Sequence, residues 1–166
     1  RQLVLNDEYV KKYGGKLLLV MDDTIGSENK PLIVDAYKLI EDGTKWIKAN
    51  YEKEVIYKSN RIETYYEYAE DLIKKGYIYI CDCDKEIIRT NKEKKIECSC
   101  RDLYFKEQEK RWKSMFTAEE GTYCARLKTD MQDPDPAFRD RIMFRISDRP
   151  HAKLKTKYRV YPLLDF

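Results

Sequence analysis

No stretch of this 166-residue chain approaches the roughly 18 consecutive apolar residues that a membrane-spanning helix needs. Its start carries no charged-then-apolar leader. No Walker-type glycine loop and no nucleophile elbow occur, which argues against a P-loop nucleotidase and an α/β-hydrolase. Charge of one sign is also lacking: 33 basic residues face 30 acidic ones, for a net charge of +3. That balance makes no global field for nucleic acid, so any basic footprint must be local. Histidine occurs once, at His151 in a polar segment after Arg149-Pro150, where a surface contact is a more ordinary role than catalysis. There is no internal repeat and no low-complexity tract.

What is present suits one domain, or one domain with an insertion. Hydrophobic residues make up 42%, enough for a core and too many for a disordered chain. Apolar periodicity predicts a helix around Leu3–Tyr13, closed by Gly14-Gly15. A strand is predicted over Lys16–Met21, then a loop, then a helix from Pro31 to about Ala49 that Gly43 weakens. A strand over Glu54–Tyr57, a helix from Ser59 to Gly76 and a strand over Tyr77–Ile80 follow. This alternation is the pattern of a parallel α/β sheet with crossover helices.

The pattern then changes. A charged helix is predicted over Asp102–Phe116, with strands over Gly121–Lys128, Arg141–Ile146 and Tyr158–Tyr161 and a turn at Asp133–Pro136. A mixed α+β module therefore follows the α/β half. The chain opens at Arg1 within a predicted helix and stops at Phe166 within a predicted strand, so both ends read as cuts through a longer protein.

Four of the five cysteines fall into two matched pairs, Cys81-x-Cys83 and Cys98-x-Cys100. Two such pairs, joined by a hairpin or a helix, can supply four thiolates to one tetrahedral Zn²⁺. Lys85, Lys92, Lys94, Lys95 and Arg101 would offset part of the anionic charge. Free structural thiols and disulfides are the rival readings, the latter disfavoured by the lack of secretory features. Four cysteine ligands leave no open position, so such a metal is structural. Cys124, on an apolar strand, reads as a core residue.

Asp22 and Asp23 stand at the carboxyl end of a predicted parallel strand, the edge where open α/β sheets bind ligands. A carboxylate there can hold an ammonium or a ribose hydroxyl, or it can simply cap a helix. Arg139, Arg141, Arg145, Arg149 and Arg159, with Lys153, Lys155 and Lys157, make the final third locally basic. Such a run can follow a phosphate backbone, or form a solvated face with the interspersed Asp135, Asp140 and Asp148.

Taken together, these segments resemble the class I aminoacyl-tRNA synthetases for glutamate and glutamine, in the archaeal/eukaryal glutamyl form. The blocks that carry the resemblance are Tyr13–Lys16 with Asp22-Asp23-Thr24, Tyr65–Ala69, the two cysteine pairs, Arg126–Met131, Asp135–Asp140, Asp148–His151 and Tyr158–Phe166. The chain departs from the family pattern at Val20, Met21, Ile25-Gly26 and Leu164.

The resemblance implies a Rossmann-like catalytic domain over residues 1–76 and an inserted, zinc-braced domain for the tRNA acceptor end over 77–157. The return strand would occupy 158–166. It implies an ATP-dependent ligase, with Mg²⁺ accompanying the nucleotide, that joins glutamate to tRNA(Glu) through glutamyl-adenylate. This would be a cytoplasmic monomer with no membrane partner. It gives Asp22, Tyr161 and Asp165 to substrate, Arg126, Lys128, Arg139 and Arg149 to tRNA, and Cys81, Cys83, Cys98 and Cys100 to structural Zn²⁺. The family's HIGH and KMSKS motifs, which bind the ATP phosphates, are not in this stretch, so the stretch by itself is expected to lack ATP–pyrophosphate exchange. The alternatives are a glutaminyl enzyme, a zinc-stabilised RNA-binding module without catalysis, and a synthetase-like protein that glutamylates a modified tRNA base.

Overall fold

The structure, a computed structural model, describes residues 2–24 and 33–163. The chain forms two compact units. The first comprises residues up to Arg61 together with His151–Leu154, and the second comprises Ile62–Pro150 and the chain from Lys155 onward.

In the first unit, α1 (Gln2–Tyr13) precedes β1 (Val20–Met21), α2 (Val34–Trp46) and β2 (Ile56–Tyr57). The two strands pair in parallel, Val20 opposite Ile56 and Met21 opposite Tyr57. Both are two residues long, shorter than the runs Lys16–Met21 and Glu54–Tyr57 suggest. The apolar residues before Val20 still contribute: Leu17 and Leu19 are buried, and their carbonyls accept from the N–H groups of Glu52 and Ile56. Gly14, at φ 69°, stops α1 in the left-handed conformation that glycine adopts without strain. Gly43 does not break α2, which runs through it, and the Thr44 hydroxyl donates back to the Ile40 carbonyl at 2.7 Å. The predicted start of this helix at Pro31 lies outside the described residues. Leu5, Tyr9 and Tyr13 of α1 and Leu39 and Trp46 of α2 are exposed. Two strands of two residues offer little sheet face to bury them.

The second unit is built on an antiparallel sheet of β3 (Ile78–Cys81), β4 (Cys124–Leu127), β5 (Ile142–Ile146) and β6 (Val160–Pro162), in that order. Sequence alternation suggests β3 as a third parallel strand; instead it pairs antiparallel with β4. Helix α3 (Ile62–Lys74) and α5 (Phe105–Met115) pack on this sheet, and α4 (Lys85–Lys94) lies between the cysteine pairs. In α3, Ile62, Ala69 and Ile73 recur at helical spacing and are buried. Tyr66 of the same helix stacks edge-on with Trp112, Phe116 and Tyr158 and donates to the Val160 carbonyl at 2.5 Å.

All four residues of β3 are buried, yet its two faces do different things. Side chains alternate across a strand. Ile78 and Ile80 therefore enter the core with Trp112, Met115 and Phe144, whereas Tyr79 and Cys81 point to the opposite face, among Ile88, Cys98 and Cys100. The fold is thus α/β, with one parallel and one antiparallel sheet. Among the described residues no helix is long and apolar enough to cross a membrane.

Candidate metal centre and ligand-facing carboxylates

Cys81 ends β3, Cys83 follows in the loop, and Cys98 and Cys100 sit at and in the single turn of 3₁₀ helix Ser99–Asp102. The intervening segment is α4, the helical form of the two links that the spacing allows. Lys95, at φ 59°, ends it in the left-handed region and turns the chain back. The four sulfurs lie within 4.8 Å of one another. Cys81–Cys98 is 3.7 Å, Cys83–Cys98 3.4 Å and Cys83–Cys100 4.0 Å. A Zn²⁺ with four thiolates at about 2.3 Å in tetrahedral geometry separates them by about 3.8 Å, so the site has the right size. The same distances are far beyond the ~2.05 Å of a disulfide, and all five cysteines are free.

The four thiols are not equivalent in their surroundings. A hydrogen bond from Cys124, the Cys83 backbone and the Arg126 guanidinium together hold the Cys81 thiol down to about 4, against the effect of burial. A thiolate, not a thiol, is the metal ligand. Burial pushes the Cys83 thiol up to about 11 and raises that of Cys98 as well. Cys124 faces Cys81 across the sheet and packs beside the cluster.

Two cations that bond to the sulfurs come from elements distant in sequence. Arg111 of α5 reaches Cys100 at 3.7 Å, and Arg126 of β4 reaches Cys81 at 3.8 Å. Arg101 instead pairs with Asp140 and Glu97. Gln108 ties the frame together, accepting from the Ile80 N–H and donating to the Cys100 carbonyl, both at 2.7 Å. None of Arg111, Gln108 and Asp140 stood out in the sequence as part of this region.

In the first unit the two adjacent aspartates divide their roles. Asp23 is buried and accepts from the Ser59 N–H at 2.8 Å, the Ser59 hydroxyl at 2.7 Å and the Tyr37 hydroxyl at 3.0 Å. Burial and that bond raise the Tyr37 phenol above its usual range. Asp22 has a side chain 30% exposed and meets Lys58 at 3.4 Å. Asp22 is thus the more exposed of the two carboxylates.

His151 is not the surface residue its polar surroundings suggest: it is 2% exposed. Its Nδ1 accepts from the N–H groups of Lys153 and Leu154, both at 3.1 Å, so Nε2 carries the proton and donates to the Asp23 carbonyl. The ring therefore fastens the His151–Leu154 segment to the end of β1. Lys153, beside it, lies over the Tyr57 ring at 3.4 Å.

The residues that the resemblance assigns to substrate and tRNA are placed as follows. Tyr161 is fully buried on β6, and Asp165 lies outside the described residues. Arg126 is 1% exposed and Arg139 3% exposed. Arg139 spends its guanidinium on the carbonyls of Asp133, Lys92 and Pro134. Lys128 has a side chain 36% exposed, near Asp102 at 3.6 Å, and Arg149 is half-buried.

Comparison with known proteins agrees with this architecture. The family described as tRNA synthetases class I (E and Q), catalytic domain, matches residues 1–166. A glutamate–tRNA ligase of Methanococcus maripaludis strain S2 is 43% identical over 165 residues, covering 99% of this chain and 29% of that protein. The ligase of Methanothermobacter thermautotrophicus is 41% identical over 166 residues, and that of Pyrococcus horikoshii 42% over 169; each match covers 100% of this chain and 29% of the relative. The chain thus spans 29% of the length of these curated relatives, and it belongs to the class I family of glutamate and glutamine tRNA synthetases, within their catalytic domain.

Proposed function

We propose that the protein attaches glutamate to tRNA(Glu) in an ATP-dependent reaction, by way of glutamyl-adenylate. The observation that carries this reading is the match over the whole chain to relatives that bear the name glutamate–tRNA ligase. The glutaminyl alternative finds no such support among them. In this reading residues 1–76 begin the catalytic domain, residues 77–157 form the inserted domain for the tRNA acceptor end, and 158–166 return to the catalytic fold. The protein works as a cytoplasmic monomer.

Each residue then has a task. Asp22, partly exposed at the end of β1, holds the ammonium of glutamate or the terminal adenosine, with Lys58 steadying its other oxygen. Tyr161 and Asp165 belong to the amino-acid pocket. Lys128 and Arg149 meet phosphates, which position the RNA without reading its sequence. Arg126 and Arg139 serve the same surface indirectly, by bracing the loops beneath it. Cys81, Cys83, Cys98 and Cys100 would hold Zn²⁺, which supplies a cross-link between β3 and the turn before α5 and takes no part in acyl transfer. ATP enters with Mg²⁺, and catalysis consists of positioning the reactants and stabilising phosphoryl charge.

The test is aminoacylation of total tRNA by the full-length protein, with labelled glutamate and glutamine offered separately. Glutamate incorporation is the expected result. Glutamine incorporation would transfer the assignment to the sister enzyme, and incorporation of neither would favour a non-catalytic RNA-binding role.

A further inference from the structure

Arg126 is a full positive charge in the interior of the second unit, 1% exposed. Its Nε donates to the Asp140 carbonyl at 3.1 Å, its Nη1 to Cys81 Sγ at 3.8 Å, and its Nη2 has no hydrogen-bond partner. The Asp140 carboxylate is already engaged with Arg101, Tyr79 and the Thr129 N–H. A charge at that depth needs an anion beside it, and the Cys81 sulfur at 3.8 Å becomes one when it binds a cation as a thiolate.

Arg111 repeats the arrangement at the far side of the cluster. Its Nη1 donates to Cys100 Sγ at 3.7 Å while its Nη2 meets Asp82 at 3.0 Å. Asp82 itself lies 3.0 Å from Cys100 Sγ. Once Cys100 is a metal-bound thiolate, a carboxylate and a thiolate adjoin, and the Arg111 fork is the donor placed to bridge them.

We propose that Arg111 and Arg126 form an outer layer of the cysteine centre, each donating an N–H to one ligand sulfur and together balancing the two negative charges that four thiolates leave on a divalent cation. The inference rests on the reading of this cluster as a zinc site. Arg111 and Arg126 are positioning residues: they act on the metal through Cys100 and Cys81.

The test is made on the zinc-loaded protein with Arg111→Met, whose side chain is 17% exposed and can be replaced without opening the core. Competition against a chromophoric chelator should show zinc held about 10- to 100-fold more weakly. In the Co²⁺-substituted protein the sulfur-to-metal charge-transfer band should move to longer wavelength, because a thiolate that loses its hydrogen bond gives up electron density more easily. Arg126→Lys, which keeps the buried charge but shortens its reach, carries the same two measurements for Cys81. Weaker binding with an unmoved band would reduce the arginines to packing elements and overturn the proposal, as would unchanged affinity in folded variants. Wild-type protein that retains no zinc would instead remove the zinc reading, and this inference with it.

Discussion

Asp140 adopts φ 38°, a left-handed conformation, and is 1% exposed. It accepts from Arg101, from the Tyr79 hydroxyl at 2.6 Å and from the Thr129 N–H at 2.9 Å. Burial alone would raise its carboxyl, but the Arg101, Tyr79 and Thr129 hydrogen bonds outweigh that and hold it below the usual 3.8. A carboxyl that titrates lower when folded contributes stability in full above its unfolded value. That contribution is lost as pH falls through the folded value. Asp140→Asn should therefore flatten the acid limb of the stability–pH curve below pH ~4. Near neutrality it should cost up to roughly 3–5 kcal/mol, since the buried Arg101 charge loses its buried partner and keeps only the exposed Glu97 at 3.2 Å. Denaturant unfolding from pH 3 to 7 measures both effects; an acid limb as steep as in wild type would show that another group carries it.

At the scale of elements, the local signals were readable and the distant ones were not. The apolar spacing of Ile62, Tyr65, Tyr66, Ala69 and Ile73 marks α3 because a helix writes its buried face at short range. The cysteine pairs are legible for the same reason, each pair being two residues apart. The antiparallel pairing of β3 with β4 is not, since Cys81 meets Cys124 from across an intervening helix pair. Likewise Arg126 reaches Cys81 from 45 residues away, and no spacing rule connects them. His151 misled because a polar neighbourhood in sequence says nothing of the carbonyl that its ring meets 128 residues away. One terminus is open to a direct test. Lys95 closes α4 at φ 59°, where an L-residue is strained and glycine is not. Lys95→Gly should stabilise the second unit by about 0.5–1 kcal/mol, read as a higher urea midpoint. A lower midpoint would mean that the 3.1 Å bond from the Lys95 side chain to the Gln132 carbonyl outweighs the relief of backbone strain.

For the whole molecule, the cysteine centre joins parts of the second unit that its hydrophobic core does not. Ile80, Trp112 and Phe144 hold one face of the sheet, while Cys81 and its partners hold the other. Zinc bound to the native site alone stabilises by mass action, by about 2.7 kcal/mol at a free metal concentration 100 times the dissociation constant. For a unit of this size each kcal/mol moves the thermal midpoint by about 4–8 °C, so chelation should lower the transition by about 10–20 °C. The two tryptophans allow this to be followed selectively: Trp112 is 2% exposed within the second unit, whereas Trp46 is 83% exposed in the first. In the 166-residue chain carrying Trp46→Phe, the emission of Trp112 alone reports the second unit. With a strong chelator its red shift on heating should come earlier, and added Zn²⁺ should restore the original midpoint. A midpoint indifferent to chelator and to Zn²⁺ would mean that the four thiols, despite lying within 4.8 Å of one another, brace nothing, and that β3 and the 98–102 turn are held by Gln108 and the Asp140 network alone.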